Sequence, residues 1–349
     1  MKQKIAICGL GAAARQIHLP AYRKVPSVEV VGGFDPSIKG ENLDFPCFSS
    51  TEEMIERTRP DILSIVTPTQ THHELSKLGL ESGCHVLCEK PFMSSMEEAD
   101  EIVELSEKVG KWVVVNNQYR FMNIHEAARN QIGTPGFGDL LFISANQTFY
   151  VSSETEQGWR GSDPQRTCKE FGIHVLDLCR FYFDEDPVSI TARMPKGDKP
   201  DGPDYLNLIQ LEFSDDRVAH ITLDRFSRGP HRYLDMRLDG SEGIVETSLG
   251  GKIELNAGVR GGTRKPYINL DLSMGGRARI FHGDNFKKIA SDPLDLFAHA
   301  THKLVQAFVD ALENDTAPPC HGADNRKTLA LVYAAYASHE QKKPVTLHY

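Results

Sequence analysis

The stretch KIAICGLGAAARQIHLPAY, residues 4–22, decides the fold of this chain. Ile5 to Cys8 form an apolar, partly β-branched run that reads as a buried strand, and alanines with strong helix preference follow it. Between them stands Gly9-Leu10-Gly11-Ala12-Ala13-Ala14, a GxGxxA pattern. Gly9 permits a tight turn, Gly11 removes the side chain that would block a pyrophosphate, and Ala14 lets the helix pack closely on the sheet while its first amides point at the anion. Glycines also serve plain strand-to-helix turns, so the pattern alone is weak. Asp35 strengthens it: it closes a second strand about 20 residues on, where a carboxylate accepts hydrogen bonds from a ribose diol. A carboxylate there repels a 2′-phosphate, which favours NAD over NADP. Without the glycine loop, Asp35-Pro36 would be an ordinary turn.

Downstream the alternation repeats. VEVVGGFD (28–35), DILSIVTP (61–68), HVLCEK (85–90) and WVVVNN (112–117) read as strands. STEEMIERT (50–58), HHELSKLGLES (72–82) and SSMEEADEIVELSEKVG (94–110) read as helices. Ser50 with Glu53, and Ser94 with Glu97, have capping-box spacing, and Gly83 and Gly110 are placed to end helices. Short, nearly continuous apolar strands between amphipathic helices imply a parallel, doubly wound sheet covered on both faces. After it FGDLLFISANQTFY, YLNLIQLEF and VAHITLDRF alternate apolar and polar residues, with SDDR (214–217) as a hairpin turn between the last two. YLDMRLDGSEGIVETS continues this pattern, EFGIHVLDLCRFYF is a helix, and two further helices are expected near 297–313 and 325–341. The expected fold is α/β: a Rossmann domain over 1–122, then an α+β domain over 123–349 with a large, predominantly antiparallel sheet.

The length of 349 residues suits two domains, and 40% hydrophobic with 25% charged residues is ordinary for a soluble globular protein. A formal net charge of −9 argues against general affinity for nucleic acid or anionic membrane. No apolar run is long enough to span a bilayer, and the brief apolar start runs directly into glycines, unlike a secretory signal. Seven scattered cysteines without CxxC spacing indicate neither a zinc site nor a disulfide framework. The expected location is cytoplasmic. His72 and His73 diverge in direction on a helix, so a metal pair is not expected and no metal is assigned.

Ligands of open α/β sheets bind beyond the carboxyl ends of the strands. Thr67 and Pro68 leave the third strand there, Glu89 and Lys90 the fourth, and Asn117 and Gln118 the fifth. Lys90 by itself could be a solvated lysine paired with Glu89. Its surroundings alter that reading. GLGAAARQIHLPAY (9–22), TPTQTHHELSKLGLESGCHVLCEKP (67–91), NNQYRF (116–121), GWRG (158–161), GIHVLDLCRF (172–181) and the ending ADNRKTLALVYAAYASHEQKKPVTL (323–347) resemble the glucose–fructose oxidoreductase / inositol dehydrogenase (Gfo/Idh/MocA) family over essentially the whole chain. The EKP motif with a downstream GxHxxD is its specific signature.

That resemblance implies that Lys90 lies near the nicotinamide and the reacting hydroxyl and that His174 assists proton transfer. Asp177, three residues on, could orient the imidazole or make an internal polar contact. Family members commonly carry an aspartate four residues before the histidine; here it is Glu170, which reaches one methylene further, and the usual preceding glycines are replaced by QRTCKEFG (165–172). Arg166 and Lys169 place two cations beside the expected pocket, suiting either an anionic substrate or a solvated loop paired with acids. The resemblance also assigns Trp159 and Arg160 to the nicotinamide end, His72 to the cofactor loop, and Tyr119 and Arg120 to cofactor or sugar contact, although Phe121 suggests a packed corner. The implied activity is NAD(P)-dependent oxidation of a secondary hydroxyl, or reduction of the ketone, in a sugar, sugar derivative or cyclitol. Alternatives within the family are glycosidases that retain NAD and act by transient oxidation and elimination, and regulators that sense sugar without catalysis. A homodimer or homotetramer through the C-terminal sheet is implied as well.

Overall fold

The computed structural model describes residues 2–37, 43–151, 164–196, 202–229, 232–259, 266–283 and 285–349. Strands β1 (Gln3–Cys8), β2 (Val28–Phe34), β3 (Ile62–Ile65), β4 (His85–Cys88) and β5 (Val113–Val115) form a parallel sheet in the order β2-β1-β3-β4-β5. Its crossovers carry α1 (Leu19–Arg23), α2 (Thr51–Thr58), α3 (His72–Glu81) and α4 (Met96–Val109). Side chains alternate across a strand, and β1 shows the consequence. Ile5 and Ile7 join Tyr22 and Leu19 in one core, while Ala6 and Cys8 join Met54, Leu80 and Ile102 in the other. Burial on both faces is why these strands read as apolar runs.

Local signals act largely as expected. Ser50 caps α2 by accepting from the Glu53 amide at 3.1 Å, a contact worth about 1 kcal/mol. Gly110 ends α4 at a positive φ of 65°. The capping box of α4 lies one residue later than expected: Ser95 accepts from the Glu98 amide, and the Glu98 carboxylate accepts from the Ser94 amide at 2.9 Å. Paired serines and paired glutamates satisfy the spacing in both frames, and the helix takes the later one.

After α5 (Asn123–Arg129) comes a nine-stranded sheet. It is built from β6 (Leu140–Thr148), β7 (Ser189–Arg193), β8 (Leu206–Glu212), β9 (Val218–Asp224), β10 (Arg232–Gly240) and β11 (Ile244–Leu249). The chain then forms a separate two-stranded ribbon, β12 (Lys252–Val259) with β13 (Pro266–Ser273). Strands β14 (Gly276–His282), β15 (Asn285–Asp292) and β16 (Val345–Thr346) complete the large sheet, ordered β15-β14-β11-β10-β6-β9-β8-β7-β16. Its pairs are antiparallel except β6 with β9. The turn at 214–217 carries positive φ at both central residues, Asp215 (55°) and Asp216 (56°), the backbone that matches hairpin twist. Helix α6 (Ile173–Phe183) follows a wide helical turn at Thr167–Gly172 and packs into this sheet's core.

The last helices are α7 (Leu296–Glu313) and α8 (Gly322–Gln341). Leu304, Val305, Phe308 and Val309 of α7 share a core with Ile5, Ile7 and Tyr22, and Leu329 of α8 joins the opposite core of the parallel sheet. A division of the chain near residue 122 therefore does not confine the first core to the first segment. Among the described residues no helix is long and apolar enough to cross a membrane, and no cluster of three or more His, Cys, Asp or Glu side chains is placed to hold a metal.

Candidate active site

The glycine loop sets one wall. Gly9 has φ +89°, and a Cβ there would lie 2.3 Å from the Val66 carbonyl oxygen, so only glycine fits. The Leu10 amide donates to Asp35 Oδ2 at 2.8 Å, joining the loop to the end of β2. Around Gly11 an added Cβ would meet nothing within 4 Å; the backbone faces open space. The helix that follows widens into a π-turn over Ala14–His18, in which the Leu19 amide reaches back to the Ala14 carbonyl. Pro20, lacking an amide hydrogen, cannot continue a regular ladder there.

A cavity of about 430 Å³ opens beyond these strands. Gly11, Ala12, Ala13 and Ile17 line one part of it, and Val66 to Thr69 another. Glu89, Lys90 and Pro91 enter from the end of β4, and Gln118 and Tyr119 from the end of β5. The second half of the chain contributes Glu170, His174, Tyr233 and Phe297. Lys90 and His174, about 80 positions apart in sequence and expected to meet, line the same cavity. Lys90 Nζ donates to the Glu170 carbonyl oxygen at 3.0 Å, tying the end of β4 to the turn that leads into α6. The Glu170 carboxylate is 3.5 Å from Arg166 Nε.

The electrostatics follow from burial and charge. His174 is 4% exposed, its ring stacks on Tyr119 at 4.0 Å between centroids and 5° between planes, and Nδ1 has no hydrogen-bond partner. Burial first, and the Lys90 charge second, hold its pKa well below the ordinary imidazole value, so the ring is neutral at pH 7. Burial alone would raise the Glu89 pKa; the hydrogen bond and charge of His18, the Lys90 charge and the Asn116 hydrogen bond outweigh it and bring it to about 2. The bonds are short: His18 Nε2 at 2.7 Å and Asn116 Nδ2 at 2.6 Å, both to Glu89 Oε1. His18 Nδ1 in turn meets Tyr22 Oη at 2.8 Å, and that hydroxyl meets Ser64 at 2.7 Å.

Several expected residues are elsewhere. Arg120 grips Asp177 through Nε (2.7 Å) and Nη2 (2.6 Å) and also reaches Asp324 at 2.9 Å, while Thr328 donates to Asp177 at 2.9 Å. Neither Arg120 nor Asp177 lines the cavity. Asp177 therefore does not orient the His174 ring; it neutralises a buried guanidinium. Breaking such a pair by removing one partner costs about 3–5 kcal/mol. We expect Asp177→Ala to lower urea-unfolding stability by about 3 kcal/mol while the folded fraction keeps its substrate KM; a KM raised tenfold with stability intact would return Asp177 to the substrate site.

Asn117 is turned inward onto the Asn325 side chain, and its neighbour Gln118 faces the cavity instead, with a buried Oε1 that has no partner. His72 clamps backbone: Nε2 lies 3.0 Å from the Thr67 carbonyl oxygen and Nδ1 3.0 Å from that of Pro91. It thus holds two cavity-lining loops together from behind, and burial keeps its pKa low. Arg166 is buried beside Glu170, and the Lys169 ammonium sits 5.8 Å over the Tyr333 ring; neither lines the cavity. Gly9, Leu10, Ala14 and Asp35 build the loop without lining this cavity, and Trp159 and Arg160 lie outside the described residues. Tyr233, Phe297 and His18 had no sequence signal at their own positions, beyond a histidine on the apolar helix face of RQIHLPAY.

A glycine-built anion loop, an open cradle at Gly11 and two buried polar atoms without partners at one cavity fit a dinucleotide. The site is that of an oxidoreductase with a nicotinamide cofactor, and comparison with known proteins agrees. Residues 3–117 match the model of the Gfo/Idh/MocA oxidoreductase family with an NAD-binding Rossmann fold, and residues 125–246 match the family's C-terminal domain. The chain belongs to the Gfo/Idh/MocA family. It is 24% identical to D-apiose dehydrogenase of Paraburkholderia graminis, over 99% of this chain and 89% of the relative. It is 28% identical to 1,5-anhydro-D-fructose reductase of Ensifer adhaerens, over 81% and 78% of the two chains. The fold matches the crystal structure of myo-inositol 2-dehydrogenase from Lactobacillus plantarum with TM-score 0.77 and 20% identity, covering all of both chains. It also matches an Agrobacterium radiobacter oxidoreductase crystallised with NAD+, L-tartaric acid and magnesium, with TM-score 0.82 and 20% identity over 99% of this chain and 98% of that one.

Proposed function

We propose that the protein is an NAD-dependent dehydrogenase that oxidises a secondary hydroxyl of a sugar or cyclitol, or reduces the corresponding ketone. The observation that carries this reading is the meeting of Lys90 and His174 on one cavity that begins at Gly11. Gly9 to Ala14, Thr67 and Pro68 hold the dinucleotide, with His72 supporting their loop, and Asp35 at the end of β2 favours a free ribose diol over a 2′-phosphate. The bound nicotinamide supplies hydride acceptance and donation; the protein supplies alignment and proton handling. Neutral His174 accepts the hydroxyl proton as general base, its plane set by Tyr119. Lys90, anchored through Nζ on the Glu170 carbonyl, donates to the reacting oxygen and stabilises the charge that develops there. In this division, residues 1–122 serve the cofactor and 123–349 the substrate and assembly.

Arg166 is paired with Glu170 and Lys169 sits over Tyr333, neither lining the cavity, so an uncharged polyol suits it better than a sugar acid. Seven cysteines without a disulfide suit a reducing cytoplasm. The reading is tested by screening neutral sugars, sugar acids, nucleotide sugars and cyclitols with NAD and NADP and following absorbance of the reduced cofactor. Reduction of NAD by a neutral polyol is the expected result. Glycoside cleavage without net NADH, or no turnover with any polyol, would contradict it.

The reading includes a homo-oligomer, supported by apolar side chains left in solvent. Ile253 and Leu272, and Leu255 and Leu270, are cross-strand pairs on one face of the β12–β13 ribbon, each more than half exposed. A two-stranded ribbon is marginal alone in water, and a contiguous apolar patch of this kind marks an association surface. Sedimentation velocity at micromolar concentration should give a dimer or tetramer, and Leu255→Asp with Leu270→Asp should shift it toward monomer; a monomeric wild type would contradict the assembly.

A further inference from the structure

Oxidised nicotinamide carries a positive ring, and the cavity already holds the Lys90 ammonium. Among the described residues that line it, the other charged groups are Glu89 and Glu170. The Glu170 carboxylate is offset by Arg166 at 3.5 Å, and His174 is neutral. Glu89 pairs with His18 at 2.7 Å but, among the described residues, with no lysine or arginine side chain, and it is the carboxylate beside Lys90 that faces the ring. It is also fixed in place. Oε1 accepts from His18 at 2.7 Å and Asn116 at 2.6 Å, and Oε2 accepts from the Lys90 amide at 3.2 Å. His18 is itself held by Tyr22, and Tyr22 by Ser64, both buried. An anion locked by such a chain does not turn away when the ring changes charge.

We infer that Glu89 is the counter-charge that makes this cavity prefer the oxidised over the reduced nicotinamide. The inference rests on the proposed placing of the nicotinamide beside Lys90. Oε2, with one donor against two on Oε1, keeps capacity toward the cavity. Removing the carboxylate charge leaves Lys90 alone to repel a cationic ring, while the neutral reduced ring is little affected. Loss of one unit charge beside the ring is expected to change the relative binding of the two oxidation states roughly tenfold.

The test needs no substrate. Dissociation constants of NAD+ and NADH are measured by calorimetry for the wild type, Glu89→Gln and Glu89→Asp. In Glu89→Gln the ratio Kd(NAD+)/Kd(NADH) should rise about tenfold, and in Glu89→Asp it should stay near the wild-type value. A Gln variant whose ratio stays within about threefold of the wild type, or falls, overturns the inference. Should Glu89→Gln fail to fold with Lys90 uncompensated, the same ratio in Lys90→Met and Lys90→Met/Glu89→Gln isolates the carboxylate charge, with the same rise expected. If neither nucleotide binds the wild type, the placing of the nicotinamide fails and the inference with it; if both bind and the ratio is unmoved, the inference alone fails.

Discussion

Lys90→Ala should lower turnover about 10³-fold while the NAD dissociation constant does not rise. The ammonium is the one cationic donor among the described lining residues, and it is held at a fixed place by the Glu170 carbonyl at 3.0 Å. A donor aimed at an oxygen that gains negative charge acts mainly in the transition state, and loss of one such donor costs about 10²–10³ in kcat. The charge, which a neutral donor lacks, sets the expected loss at the upper end of that range. Steady-state kinetics with NAD and the polyol found in the screen, beside NAD binding by calorimetry, separate the two effects. A variant with normal turnover would remove Lys90 from the chemistry; a variant that loses NAD binding in proportion would make it a cofactor-binding residue.

His174→Ala should lower turnover by about 10²–10⁴, the range of a positioned general base. The pH profile distinguishes this from a packing defect. Because burial and Lys90 depress the pKa of His174, the ring remains neutral through pH 7 and below the ordinary imidazole value of 6.5. Turnover of the wild type should thus hold as pH falls through 6.5 and decline only where the ring protonates. That acid limb should be absent from the residual activity of His174→Ala. The sign for stability is linked: an unfolded histidine binds a proton below 6.5 that the folded one refuses, so the depressed pKa stabilises the fold above 6.5 and destabilises it progressively as pH falls toward the folded value. A residual activity that keeps the wild-type acid limb would exclude His174 as the base.

The parallel sheet was legible because its strands are buried on both faces and its helices carry local punctuation. Ser50 and Gly110 act through neighbours three or four residues away, so the sequence contains the whole interaction. Lys90 and His174 were legible for a different reason: each sits in a short motif at a defined element end. What could not be read was which long polar side chains meet. Arg120 and Asp177 are 57 positions apart, and His18 and Glu89 are 71 apart. Their pairing depends on the π-turn at Ala14–His18 and on how α6 packs against the turn at Gln118–Phe121, neither of which has a local signature. The exchange of Asn117 for Gln118 in the cavity comes from a single-residue change of direction after β5, at an Asn117 backbone that is neither strand nor helix. Tyr233 and Phe297 join the wall from β10 and α7 only after the second sheet has assembled.

The convergence of Lys90 and His174 on one alcohol against the nicotinamide is tested most directly by a crystal structure with NAD+ and a polyol that the enzyme oxidises. The nicotinamide ring should lie between the Gly11 loop and Glu89, with one substrate hydroxyl within hydrogen-bond reach of both Lys90 Nζ and a ring nitrogen of His174. A nicotinamide bound outside this cavity, or a reacting hydroxyl that neither nitrogen reaches, would contradict it.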